Sequence, residues 1–281
     1  MSKSPVSTQI SAPEYHGMPA VNQTLIKEIL RSPAHAHAYL EAGKTPTPAM
    51  CLGTAVHASI LNPENFDHEV IIQPEINRRT KEGKAQHEKF MQTTGDRAVI
   101  KAEQAANCVN VTSAVNRNKT AQDLLVNTGR EETYLWEDEK TGLVCKARID
   151  AIKDKTVIDL KTTADASPNG FARSVAKFGY HIQAAFYLRA ASGLTAFDAW
   201  KDGWRFNFIA VETNKPYAVA CYTLDRVAIL EGERQVDKAL GVWAESTLLD
   251  TFCGYPDEIK ELSLPNWALV DPEEYGLEGV K

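Results

Sequence analysis

The chain has 281 residues, 43% hydrophobic and 24% charged, which is enough for a substantial core in one large domain or two small ones. No apolar run approaches the ~20 residues that a membrane helix needs, and the start Met1-Ser2-Lys3-Ser4-Pro5 lacks the apolar centre of a secretory signal. A net charge of -6 excludes a surface that is basic throughout, but nucleic-acid binding needs only a local positive patch, so an acidic exterior around a basic channel stays open.

The first fifty residues read as helical and punctuated. Asn22 is placed to cap a helix that carries Leu25, Ile26, Ile29 and Leu30 on one face. Ser32-Pro33 opens a second helix, which Gly43 should end, and Thr45-Pro46-Thr47-Pro48 is a short stiff linker. A helix rich in small residues follows over 49–61, carries His57 and stops at Asn62-Pro63. Residues 69–72 read as a strand, 78–89 are charged and ambiguous, and 102–126 read as helical.

The centre reads as a β-meander. Residues 131–136 alternate, Asp138 to Gly142 turn, and strands over 145–150 and 156–163 follow across the polar turn Lys153-Asp154-Lys155. Helices over 169–177 and 180–191, strands over 204–212 and 217–224, a long amphipathic helix over 226–244 and an irregular tail complete the chain. This order predicts one α/β domain of mixed α+β type, a central mixed β-sheet flanked by helices. Its parts would be a helical N-terminal part over 1–48, a core over 49–225, and a C-terminal helix and tail over 226–281.

The strand over 156–163 is the most telling. Period-two geometry puts Val157, Asp159 and Lys161 on one face and Ile158 and Leu160 on the other, so an acid and an amine point the same way from a rigid edge. Asp150 is available from the neighbouring strand. Two carboxylates and a backbone carbonyl supply hard oxygen ligands for Mg²⁺, and a lysine beside them can hold an activated water as its proton is lost. That is equipment for cutting phosphodiesters.

Asp150 followed by Asp159-Leu160-Lys161 resembles the signature of the PD-(D/E)xK nucleases, with Ile149 where the name-giving proline would stand. Gly53-Thr54-Ala55-Val56-His57 resembles the histidine motif of the RecB/RecE-like branch, and Gln183-Ala184-Ala185-Phe186-Tyr187 its QxxxY helix. The pattern is most similar to RecE-like nuclease domains of the exodeoxyribonuclease VIII type, from Tyr15-His16-Gly17 through Asn266-Trp267-Ala268.

The resemblance implies a PD-(D/E)xK core and a Mg²⁺-dependent exodeoxyribonuclease, with Mn²⁺ able to substitute. Such an enzyme degrades linear double-stranded DNA from its ends, 5′ to 3′, and leaves 3′ single-stranded overhangs. Asp150, Asp159, the Leu160 carbonyl and His57 would hold the metal, and Lys161 would act on the attacking water. A glutamate opening the strand at 131–136 would assist. Only one of Glu131 and Glu132 can face the cleft, and Glu132 is preferred, with a solvated edge pair as the other reading.

Gln183 and Tyr187, four apart on one helical face, would support the lysine or meet the DNA backbone. Arg78, Arg79, Lys81 and Lys84 form the densest basic stretch and would hold phosphates or a 5′ end. Expected partners are DNA ends, further copies of the chain in a ring-like homo-oligomer, and a single-strand annealing protein. The five cysteines are scattered, which suits reduced thiols in a bacterial cytoplasm and no iron–sulfur cluster; phage or prophage recombination is the implied setting. Two other classes remain: a structure-specific or restriction-like endonuclease on the same core, and a non-enzymatic DNA-binding or anti-defence protein on a retired nuclease fold. The intact acids and lysine argue against the latter.

Overall fold

The computed structural model describes residues 5–8, 10, 12–42 and 46–265. The expected helix stop at Gly43, the start of the linker at Thr45 and the tail from Asn266 lie outside the described residues. The chain opens with a three-residue strand, β1 (Val6–Thr8), and a short helix, α1 (Ala12–Gly17). α2 (Gln23–Arg31) starts where Asn22 Oδ1 accepts from the Thr24 and Leu25 amides at 3.0 and 2.9 Å, a cap worth about 1 kcal/mol. It buries Leu25, Ile26 and Ile29, as the spacing predicts. α3 (Pro33–Ala42) and α4 (Pro48–Leu61) each begin on a proline, whose missing N–H costs nothing in a first turn.

After α5 (Phe66–Glu69) comes β2 (Val70–Gln73). The ambiguous charged stretch becomes α6 (Lys81–Thr93), capped by Thr80, and β3 (Ala98–Lys101) pairs in parallel with β2 in a separate two-stranded sheet. The helical stretch after it breaks in two, α7 (Ala102–Arg117) and α8 (Lys119–Leu125), because Asn118 ends one helix and its side chain caps the next. The meander is β4 (Gly129–Glu137), β5 (Val144–Lys153) and β6 (Thr156–Thr163). Helices α9 (Pro168–Phe178), α10 (Tyr180–Ser192) and α11 (Ala196–Lys201) lead to β7 (Arg205–Glu212), β8 (Val219–Thr223) and α12 (Arg226–Leu248).

The main sheet has the order β1-β4-β5-β6-β7-β8. Its neighbours are antiparallel except β6 and β7, whose parallel pairing needs the crossover that α9 to α11 provide. This is the expected mixed sheet flanked by helices. β6 lies in the middle of the sheet and not at the rigid edge expected from its acid and amine, because the whole of β7 zips alongside it.

Both faces of the sheet are covered. α2, α10 and α12 pack on Val157, Ala147, Ile149, Phe206 and Phe208. α4, α7 and α8 pack on Ala151, Ile158, Leu160, Ile209 and Val211. Burying rings such as Phe206 and Phe208 contributes about 1.5–3 kcal/mol each. Ile182 through Ala190 of α10 are all buried, so this helix is enclosed on every side. α12 approaches it so closely that a Cβ on Gly232 would sit 2.2 Å from the His181 carbonyl oxygen.

Candidate active site

β5 and β6 pair only over Ala151–Lys153 and Thr156–Ile158, so the two strands part at Asp150. Ile149 and Ala151 join different core clusters although they are two residues apart, which marks the same parting. The Asp150 carboxylate fills the fork, and its Oδ2 accepts the Leu160 N–H at 2.9 Å. A ladder partner is thereby replaced by an acid whose remaining lone pairs face the cleft.

Asp159 is 1% exposed, on the α10 side of β6. Its Oδ1 accepts from Gln183 Nε2 at 2.7 Å. Its Oδ2 meets the Lys161 ammonium as an ion pair but has no well-aligned hydrogen-bond donor. Burial pushes the Asp159 carboxyl above the usual range, Lys161 opposes this, and Asp150 adds to it. Burial pulls Lys161 down, but the Asp159 and Asp150 carboxylates outweigh it, so the lysine is held above its ordinary value and stays an ammonium.

α4 brings His57 over the fork. Its Nε2 is 2.7 Å from the Leu160 carbonyl oxygen and its Nδ1 is 3.4 Å from Asp150 Oδ2. Both neighbours are acceptors, and a neutral imidazole has one proton for the two of them. Lone pairs thus converge with too few protons between them, and Asp159 Oδ2 lacks an aligned donor beside them: a donor set that fits a hard divalent cation. Among the described residues no three His, Cys, Asp or Glu side chains cage an ion by themselves; the Leu160 carbonyl is an essential member of the set. Gly53 is not needed for this approach, since a Cβ there would meet only Thr162 Oγ1, at 3.8 Å.

The preference for Glu132 is corrected. Glu132 Oε2 accepts from Ser7 Oγ at 3.0 Å and from the Tyr134 hydroxyl at 2.8 Å, so it ties β1 to β4. Glu131 faces the cleft instead. It takes a left-handed φ of 53°, between the pairs Arg130↔Ala151 and Glu132↔Ile149, which sets it opposite Asp150. Asn62 Nδ2 donates to Glu131 Oε2 at 3.2 Å and to Glu69 Oε1 at 3.1 Å. Burial, then the nearby Glu131 charge, raises the Glu69 carboxyl above its ordinary value.

The carboxylates open onto a cleft of about 370 Å³ lined by His57, Glu69, Glu131, Arg148, Asp150 and Tyr187. The motif reading missed Arg148. Its Nη2 lies 3.4 Å from Glu131 Oε1, and its Nη1 is buried without an acceptor. Period-two alternation, which puts Arg148 on the face of Asp150, was the available signal. Lys146, two residues earlier, instead pins the N-terminal segment, donating to the Tyr15 and Met18 carbonyls at 2.6 Å each.

Gln183 serves Asp159 and not the lysine. Tyr187 is buried beside it, its hydroxyl pushed well above the ordinary tyrosine value, first by burial. Arg78 and Arg79 are exposed in the turn before α6 and Lys81 and Lys84 are exposed at its start, and none of the four lines the cleft.

A model of the PDDEXK-like domain of unknown function (DUF3799) matches residues 23–246. The crystal structure of a "putative exonuclease" from Eubacterium rectale is similar, with a TM-score of 0.61 and 12% identity over 97% of this chain and 100% of that one. Identity at that level speaks to the fold alone. No curated protein matches the sequence.

Proposed function

The chain belongs to this PDDEXK-like family, and from that membership we propose that it is a Mg²⁺-dependent exodeoxyribonuclease acting on the ends of linear double-stranded DNA. The observation that carries the nuclease reading is the convergence of Asp150, His57, the Leu160 carbonyl and the Asp159–Lys161 pair at one strand fork. Those four donors would hold the cation, with Glu131 beside them. When bound, Mg²⁺ or Mn²⁺ polarises the phosphodiester and acidifies a water.

The chain's own residues do the rest. Lys161 orients the attacking water and stabilises charge as it develops on the phosphate oxygens. Gln183 fixes the Asp159 carboxylate so that its second oxygen stays directed at the centre. Arg148, with an unpartnered donor in the cleft, takes a phosphate oxygen of the bound strand. His57 and Asp150 hold the Leu160 peptide group from both its carbonyl and its N–H side.

The resemblance of the motifs around this site to RecE-like nucleases supports extending the proposal to end specificity, 5′-to-3′ polarity, 3′ overhangs passed to a single-strand annealing protein, and a ring of several copies. In this proposal Arg78, Arg79, Lys81 and Lys84 guide the entering duplex, and the setting is phage or prophage recombination in a bacterial cytoplasm. Among the described residues no helix is long and apolar enough to cross a membrane. The test is digestion of end-labelled linear duplex with Mg²⁺ beside a covalently closed circle. Loss of the linear DNA from its ends with the circle intact supports the proposal; a cut circle favours the endonuclease reading.

A further inference from the structure

α4 serves the site at two points. His57 lies over the fork, and five residues later the helix ends at Asn62, whose side chain turns towards the acids of the cleft. Asn62 Nδ2 has two protons and two carboxylate partners, Glu131 Oε2 at 3.2 Å and Glu69 Oε1 at 3.1 Å. Asn62 Oδ1 in turn accepts from Asn65 Nδ2 at 2.9 Å. Chemistry fixes which end of the amide faces the acids. A flipped amide would set its carbonyl oxygen against two carboxylates and its NH₂ group against that of Asn65.

Glu131 needs such a hold. The carboxyl groups of Glu69, Glu131, Asp150 and Asp159 gather around two cationic side chains, Arg148 and Lys161. Like charges at these separations push a half-buried glutamate out towards water. Arg148 draws Glu131 Oε1 from one side at 3.4 Å, and Asn62 holds Oε2 from the other. The amide does this without a charge of its own, whereas a lysine in its place would repel a divalent cation at the fork.

We propose that Asn62 is a positioning residue, which keeps the Glu131 carboxylate directed at the divalent cation held by Asp150 and His57. It also ties that carboxylate to the helix that carries His57, so one rigid element sets both groups. This role rests on the nuclease reading and adds to it a residue outside the motifs that suggested the site.

The test is calorimetric titration of the whole, metal-free chain with Mn²⁺, in the absence of DNA. Asn62→Ala should weaken Mn²⁺ affinity about 10–100-fold, the usual loss when a partner that orients a metal ligand is removed. In a Glu131→Ala background the same change should cost less than about two-fold, since the amide then has nothing left to position. Asn65→Ala, an exposed change that frees the far end of the amide, should weaken affinity about two- to ten-fold, the worth of one neutral hydrogen bond. It decides the matter if Asn62→Ala does not fold. Wild-type affinity in a folded Asn62→Ala, or in Asn65→Ala where Asn62→Ala does not fold, overturns the role and leaves the nuclease reading in place. A loss that is equal with and without Glu131 does the same, because Asn62 would then act on the fold and not through that carboxylate. Failure of wild-type protein to bind Mn²⁺ and to cut DNA with it overturns the nuclease reading and this role together.

Discussion

Removing the Gln183 amide isolates the contribution of the helix behind the site. Gln183 Nε2 donates to Asp159 Oδ1 at 2.7 Å, with both residues nearly excluded from water. Gln183→Ala deletes that donor and leaves a buried carboxylate oxygen without it. A hydrogen bond to a charged group is worth about 1.5–3 kcal/mol, so the metal-free protein should lose stability of that order. Loss of a partner that orients a ligand usually weakens metal affinity by about 10–100-fold. Urea unfolding without metal would read the first effect, and calorimetric titration with Mn²⁺ the second. Saturating metal should restore much of the cleavage rate, because Lys161 and the other donors remain. A variant with wild-type stability and wild-type Mn²⁺ affinity would refute the claim that Gln183 holds Asp159 in place.

The two adjacent glutamates should separate cleanly. Glu131→Gln should lower cleavage at limiting metal, whereas Glu132→Gln should leave cleavage unchanged and only loosen β1 from β4, as measured by initial rates across a Mg²⁺ series. For the basic stretch, the double variant Arg78→Ala, Arg79→Ala should flatten the dependence of DNA binding on salt by about two units of slope; an unchanged slope returns the segment to ordinary surface. Gly232→Ala drives a methyl group into the His181 carbonyl and should cost about 1–3 kcal/mol, seen as a lower urea midpoint.

The fold was legible where side chains repeat with a clear period. The alternation of Val157, Asp159 and Lys161 against Ile158 and Leu160 is realised in β6, with Val157 and the two other residues appearing in separate cores. The Asn22 cap and the apolar face behind it read directly from residue chemistry. β1 is three residues long, too short to impose a period, and β3 is a short strand paired in parallel with β2; neither was anticipated.

At the site, Asp150, Asp159, Lys161 and His57 were legible because their spacing matches a motif, and the structure brings them together. Between the two adjacent glutamates the alternation showed only that one faces the cleft, and the left-handed backbone that turns Glu131 towards it is not visible in a period-two pattern. Arg148 was hidden among other charged residues, since an unpartnered guanidinium nitrogen is a property of packing and not of composition. The central position of β6 depended on its parallel pairing with residues some fifty positions later, which no local pattern encodes.

The most direct test of the account is Asp159→Asn on end-labelled linear duplex DNA with Mg²⁺. Asparagine keeps the volume of a side chain that is 1% exposed in a central strand, where alanine would leave a void. It can no longer offer a charged oxygen to a cation. The account predicts a folded variant, unfolding cooperatively as the wild type does, with no detectable cleavage under conditions in which the wild type consumes the DNA. A folded variant that cuts at the wild-type rate would contradict it.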